Sequence, residues 1–388
     1  MKITCSYKDL SGVLSSMASV VEDAMSSEDL KNVIFRVYKD DNTVELIGIN
    51  NIITYKVQLE EGSYTTEIDE SEYKDTGYAE IQVKSKELNS FLDTFKSVRR
   101  TRVTDVEFET VKNKVKVTVK ESDVDTGHEY CSNWVLDNIP IKPNMLSSIN
   151  LEVPEVLKQL DVPAIGLYVS SLFPVMQNGA NLYSKLAFGE NSVVAFSTSS
   201  TTMMRNFIGD DFTNFCLSYR ALSFIKGTVC AEQLVEYAKT DERICFKIGN
   251  SVAFVRYEHK MPNYEIYEKM INRSHAIVLD RQYFKDVLKR LSLIDESIVF
   301  TVKPDEEMVE VKNSKFNQEI PILQQKAMSE LGTIAFKVLP KVFTNAIIGD
   351  DNAFSNSVFM YIEPLDNGGY SLTFSDDSGS WNSVARIR

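Results

Sequence analysis

Histidine, paired cysteine and long apolar runs are scarce or missing in this chain, and each lack removes a class of function. The three histidines, His128, His259 and His275, stand far apart and none has metal-ligand spacing, so no metal site is expected. The five cysteines (Cys5, Cys131, Cys216, Cys230 and Cys245) are odd in number and include no C-x-x-C pair. Three of them lie in apolar strand-like runs, and the expectation is buried, reduced thiols. No run of 18 apolar residues occurs, so no helical membrane span is expected. The N-terminal MKITCSYKDL lacks the apolar core of a secretory signal, which leaves the cytoplasm as the expected location. Phosphate-binding glycine loops, H-E-x-x-H and G-x-S-x-G are all absent. The Ser/Thr run STSSTTMM at 197–204 has no flanking glycines and reads as a strand end and loop. No catalytic residue and no cofactor are expected.

What is present is a repeated unit. ITCSYKDL at 3 and FCLSYRAL at 215 share alternating apolar residues, then Ser-Tyr, a basic residue and Leu. Looser relatives are IQVKSKEL at 81, INLEVPEVL at 149, IVLDRQYF at 277 and IAFKVLPKVF at 334. Each reads as a strand, a cap and the first turn of a helix. Successive starts differ by 78, 68, 66, 62 and 57 residues. The third relative is interrupted by Pro154 and Pro163, and its helix is expected at about 164–173. Leu10, Val13, Leu14 and Met17 fall at i, i+3, i+4, i+7, as do Leu88, Phe91, Leu92 and Phe95, and Phe284, Val287, Leu288 and Leu291. Helices this short need a sheet to pack on. Between them the chain alternates with period two, as in VIFRVYKD, VKVTVKE and ICFKIGN, the pattern of antiparallel strands. The unit is therefore strand, helix, three strands, used six times. KPNM at 142 and MPNY at 261 add a second repeat 119 residues apart. The fold class expected is α+β, with three consecutive domains of two units each, over 1–144, 145–268 and 269–388.

The chain carries 42 basic and 55 acidic residues, a net charge of −13, which argues against a generally basic nucleic-acid binder. The cations concentrate where the helices are. KSKELNSFLDTFKSVRRTR at 84–102 has six basic residues against two acidic, and RQYFKDVLKR at 281–290 has four against one. Residues 60–80 hold much of the acidic excess and read as a polar loop or insertion. Asp40-Asp41, Asp210-Asp211, Asp350-Asp351 and Asp376-Asp377 read as turns.

Taken together, the MKITCSYKDL start, the six units, the basic helices and the MPNYEIY linker resemble the bacterial-type DNA sliding clamp, the beta subunit of the replicative polymerase. The resemblance spans the chain by order of elements and implies a divergent member, of a kind a bacteriophage could encode. It implies a ring-shaped homodimer with helices inside and antiparallel sheets outside. The ring encircles double-stranded DNA without sequence specificity, tethers a DNA polymerase, is placed by a clamp loader, and performs no catalysis. The cationic residues expected to face DNA are Lys8, Lys86, Lys96, Arg99, Arg100, Arg220, Lys226, Arg281, Lys285, Lys289 and Lys341. A partner-peptide pocket is implied at Leu182, Ser197, Met203, Pro262, Tyr267, Ser355, Ser357, Val384, Ala385 and Arg386. Ring closure is implied at the strand edges near Tyr130 and Trp134 and at Leu293 and Ile294. The competing readings are a clamp-fold scaffold that does not encircle DNA, and an unrelated enzyme built on a repeated α+β fold.

Overall fold

The computed structural model describes the chain apart from residues 23–25, 75–76, 96–100, 124, 178–183, 197–199, 206–211, 261–270, 272, 294–296, 341–342, 345–346, 348–354, 367, 377–380 and 388. Six copies of a strand–helix–three-strand unit follow one another. The first is β1 (Lys2–Ser6), α1 (Tyr7–Val21), β2 (Asn32–Tyr38), β3 (Val44–Ile49) and β4 (Ile53–Gln58), with β5 (Tyr64–Glu67) added. The second is β6 (Tyr78–Lys84), α2 (Ser85–Asp93), β7 (Thr101–Val111), β8 (Lys114–Asp123) and β9 (Glu129–Asp137). A linking helix, α3 (Pro143–Ile149), leads to the third: β10 (Lys158–Gln159), α4 (Val162–Gln177), β11 (Lys185–Phe188), β12 (Ser192–Phe196) and β13 (Ser200–Arg205). The fourth is β14 (Phe215–Ser218), α5 (Tyr219–Phe224), β15 (Glu236–Lys239), β16 (Arg243–Ile248) and β17 (Ser251–Arg256). The fifth is β18 (Ala276–Asp280), α6 (Arg281–Ser292), β19 (Ile298–Lys303), β20 (Met308–Lys312) and β21 (Asn317–Pro321), with β22 (Gln324–Lys326) added. The sixth is β23 (Ile334–Val338), a helical segment beginning at Pro340, β24 (Ser357–Pro364), β25 (Tyr370–Ser375) and β26 (Trp381–Ile387).

Two departures from the sequence expectation have clear causes. The third unit does not begin with a strand at 149. Pro143 sits in the first turn of α3, where its fixed φ helps and its missing N–H costs nothing. One turn apart, Met145 and Ile149 then bury against Ile34, Ile47 and Ile49. The chain reaches strand geometry only at β10. Within the acidic stretch 60–80, residues 64–67 are not loop but β5, paired antiparallel with β1.

The chain divides into two compact bodies, Met1–Leu160 with Gly227–Arg256, and Asp161–Lys226 with Tyr257–Arg388. The first holds a five-stranded sheet, β5-β1-β7-β8-β9, and an eight-stranded sheet, β10-β15-β16-β17-β4-β3-β2-β6. The second holds a nine-stranded sheet, β14-β11-β12-β13-β26-β25-β24-β18-β22, and a four-stranded sheet, β21-β20-β19-β23. The middle pair of copies contributes to both bodies. Every ladder is antiparallel, so period-two alternation buries one face of each strand.

The helices pack against strands of these sheets. Leu10, Leu14 and Met17 of α1 are buried, and Gly48 of β3 lets α1 come close: a Cβ there would stand 2.7 Å from Val21 Cγ1 and 2.9 Å from Met17 Cε. Equivalent slots recur. Phe35, Phe188 and Phe300 occupy the same place in β2, β11 and β19, each fully buried. On the far face of the eight-stranded sheet two buried cations hold the stretch after α3. The Arg36 guanidinium donates to Glu80 at 2.6 Å and to Asn150 Oδ1 at 3.0 Å, and its partner carboxylate is equally buried. Lys56 Nζ donates to the Leu151 carbonyl at 2.8 Å, and burial pulls its pKa below the usual lysine value.

Cys5, Cys216 and Cys245 are buried as expected, and burial pushes their thiols up to about 12, 12 and 11. Cys131 departs from the expectation. It is exposed on β9, and Cys230 is half-buried. Among the described residues no helix is long and apolar enough to cross a membrane.

Candidate nucleic-acid interface

Of the cations expected to face DNA, Lys8, Lys86, Arg220, Lys285 and Lys289 are carried on helices that pack against the sheets. Residue Lys8 lies exposed in the first turn of α1, and Lys86 exposed in the first turn of α2. Arg220 is half-buried on α5. The Ser218 hydroxyl caps that helix by accepting from the Ala221 N–H at 3.3 Å. Lys226 is exposed and stands 4.8 Å over the ring of Phe173, which stacks on Tyr219.

Helix α6 is the most cationic of the described helices. The Asp280 carboxylate caps it by accepting from the Tyr283 N–H at 2.7 Å, and Phe284, Val287, Leu288 and Leu291 are fully buried. That stripe leaves Lys285 half-exposed and Lys289 and Arg290 exposed. Arg281 does not join them. Its side chain is only 3% exposed, and Nη1 donates to the Ser355 carbonyl at 3.3 Å. The expectation that Arg281 faces DNA is corrected: it fastens the start of α6 to the chain entering β24. Helix α4 contains no charged residue at all. Lys96, Arg99, Arg100 and Lys341 lie outside the described residues.

Part of the expected peptide pocket gathers along the junction of β13 and β26. Thr201 faces Val384, Ser200 faces Ala385 and Met203 faces Asn382. Val384 and Ala385 are buried, and Met203 is half-buried. Below the same junction the hydroxyls of Thr202 and Ser383 meet at 2.8 Å, both fully buried. The Ser355 hydroxyl accepts from the Ser357 N–H at 3.1 Å in the turn that opens β24, two strands away from β26. Arg386 belongs to β26. Leu182, Ser197, Pro262 and Tyr267 lie outside the described residues.

The expected closure residues sit on an open edge. Strand β9 ends its sheet, and Tyr130 and Trp134 are each 49% exposed on it. Trp134 stacks on Phe91 of α2 with centroids 5.3 Å apart. Leu293, directly after α6, is exposed, and Ile294 lies outside the described residues. Sequence reasoning missed another sheet edge, β21. A groove of about 920 Å³ runs beside it, lined by Asp280, Tyr283, Met308, Gln318, Ile320 and Leu323. The Gln318 amide donates to the Tyr283 hydroxyl at 2.7 Å. The signal was Pro321, which marks an edge position because proline cannot donate to a ladder.

A six-copy strand–helix–three-strand chain whose sheets run from one pair of copies into the next defines a class. No family model matches the sequence, and no curated protein matches it. Solved structures do match, over the full chain. The DNA polymerase sliding clamp of Bacillus subtilis has a TM-score of 0.70 at 13% identity, covering 100% of this chain and 99% of that one. The beta subunit of the Streptococcus pyogenes DNA polymerase has a TM-score of 0.67 at 12% identity, with both chains fully covered. The Helicobacter pylori beta clamp, solved with a DNA ligase peptide, has a TM-score of 0.66 at 13% identity, again with full coverage of both. The chain has the fold of the DNA polymerase III beta sliding clamp, at identities that mark it as divergent.

Proposed function

We propose that the chain is a DNA sliding clamp, a non-catalytic processivity factor that closes into a ring around duplex DNA and tethers a replicative polymerase. One observation carries the reading. Two sheet junctions obey one rule: the third strand after the helix in an odd copy pairs with the third strand after the helix in the even copy of the next pair. By that rule β4 pairs with β17, and β13 with β26. The third strands left over are β21 and β9, and both are sheet edges. Two copies arranged head to tail satisfy both edges and close a homodimer of six domains, with 1–144, 145–268 and 269–388 as the three in each chain. Twelve helices about 10 Å wide, side by side, enclose a circle about 38 Å across at their axes, wide enough for a duplex and solvent.

Inside such a ring Lys8, Lys86, Lys96, Arg99, Arg100, Arg220, Lys226, Lys285, Lys289 and Lys341 meet phosphates without reading bases, which permits sliding. The acidic excess elsewhere keeps DNA off the outer surface. Met203, Ser355, Ser357, Val384 and Ala385, with Leu182, Ser197, Pro262, Tyr267 and Arg386, would receive peptides of a polymerase and a clamp loader. The work is done in the cytoplasm on DNA.

Light scattering should give twice the 44.0 kDa chain mass. A combined Lys96, Arg99, Lys285 and Lys289 to Glu variant should keep its fold and lose retention on closed circular DNA. The uncharged helix α4 favours a second reading, a clamp-fold scaffold that holds partners without encircling DNA. Unchanged DNA retention in the charge-reversed variant would select it.

A further inference from the structure

We infer that the ring closes in one defined register, with Asn133 of β9 directly opposite Asn317 of β21 in a second copy of this chain. The inference rests on the clamp reading and fixes which residues meet.

The ladders allow equivalent residues to be traced from copy to copy. Two residues before the caps of α1, α4 and α6 stand Thr4, Gln159 and Val278. Across the first ladder they face Glu107, Glu236 and Phe359. Those face Thr118, Lys247 and Ser375, which in turn face Asn133, Val252 and Asn382. The other half starts two residues before the caps of α2, α5 and the helical segment at Pro340, on Gln82, Cys216 and Lys337. These face Ile34, Ala187 and Val299, and those face Ile47, Val194 and Lys312. The walk ends on Lys56, Met203 and Asn317. Lys56 is the observed partner of Val252, and Met203 is the observed partner of Asn382. Both existing junctions thus use the same slot, and the remaining pair in that slot is Asn133 with Asn317.

Antiparallel partners must share a face of the sheet, and this register meets that condition. Trp134 and Leu136 lie on the helix side of β9, where Trp134 stacks on Phe91. Gln318 and Ile320 lie on the helix side of β21, where Gln318 bonds to Tyr283. Counting outward from the two asparagines, Tyr130 comes opposite Ile320 and Trp134 opposite Phe316. The exposed aromatic residues of one edge meet apolar side chains of the other, whereas a one-residue slip would turn them to opposite faces. The charges also suit a second copy as occupant. The Asp137 end of β9, where Asp137 also pairs with Lys114, would run past Lys312 at the end of β20 and Lys315 in the turn that follows.

The register places Cys131 opposite Glu319. Opposed residues on antiparallel strands stand about 5.5 Å apart at Cα when hydrogen-bonded, within the roughly 4.4–6.8 Å that a disulfide spans. The full-length Glu319→Cys variant, with diamide as the added oxidant, should lose its monomer band on a non-reducing gel and run as a covalent dimer. Adding Cys131→Ser should abolish the cross-link. Asn317→Cys and Pro321→Cys, each displaced by two residues, should cross-link more slowly. Faster cross-linking by either would overturn the register and leave the ring reading standing. A dimer by light scattering that none of the three variants cross-links would overturn pairing of these edges. A chain that is monomeric before oxidation would overturn the ring as well. Trp134→Ala gives a second measure, since it should raise the dissociation constant of the dimer without unfolding the chain.

Discussion

The two junctions that the chain builds within itself make an instructive pair. At β4–β17 the central slot holds Lys56 and Val252; the lysine is buried, tied to the Leu151 carbonyl and 5.8 Å from the ring of Phe254. At β13–β26 the same slot holds Met203 and Asn382, and the next pair along is the buried hydroxyl couple Thr202–Ser383. One junction is braced by a cation reaching a linker, the other by two small polar groups satisfying each other. Both keep the same antiparallel register. The backbone ladder is therefore the common element, and each junction solves its side-chain problem locally.

Three sets of substitutions probe that comparison. The largest effect is expected at the slot the copies share. Phe35→Ala, Phe188→Ala and Phe300→Ala should each cost about 3–5 kcal/mol in urea unfolding. A loss at one site far below the other two would show that the copies are not equivalent there. Next comes the hydroxyl couple. Thr202→Val strands the Ser383 hydroxyl and should cost about 1–3 kcal/mol, while Thr202→Val with Ser383→Ala should cost less than the two single changes summed. Additive losses would mean that the two hydroxyls do not depend on each other. The smallest effect is the pH response of Lys56. Its pKa is held below the ordinary 10.5 by burial, so between those values the unfolded chain binds the extra proton and stability rises with pH. Unfolding at pH 8 and pH 10 should show this rise in the native chain and a flatter response in Lys56→Met. Equal slopes in the two would show that the Lys56 site does not penalise its charge.

The repeat was legible because it is written in local patterns: period-two strands, three-turn apolar stripes and polar caps. So were the exposed cations of α6, which lie off the stripe of Phe284, Leu288 and Leu291. Arg281 was readable and misread. It stands three residues before Phe284, on the same buried stripe, and only its charge suggested the surface. The strand expected at 149 failed because Pro143 makes a good helix start and Ile149 found an apolar partner across the sheet. The junctions could not be read locally. Which edge meets which is decided by pairing across some two hundred residues, and β21 pairs on one side alone, with β20, among the described residues.

The recurrence of one phenylalanine slot in three places has a consequence for descent. A scaffold assembled from interchangeable modules constrains volume, spacing and alternation far more than it constrains the letters that supply them. Many different letters can therefore fill the same positions while the architecture persists.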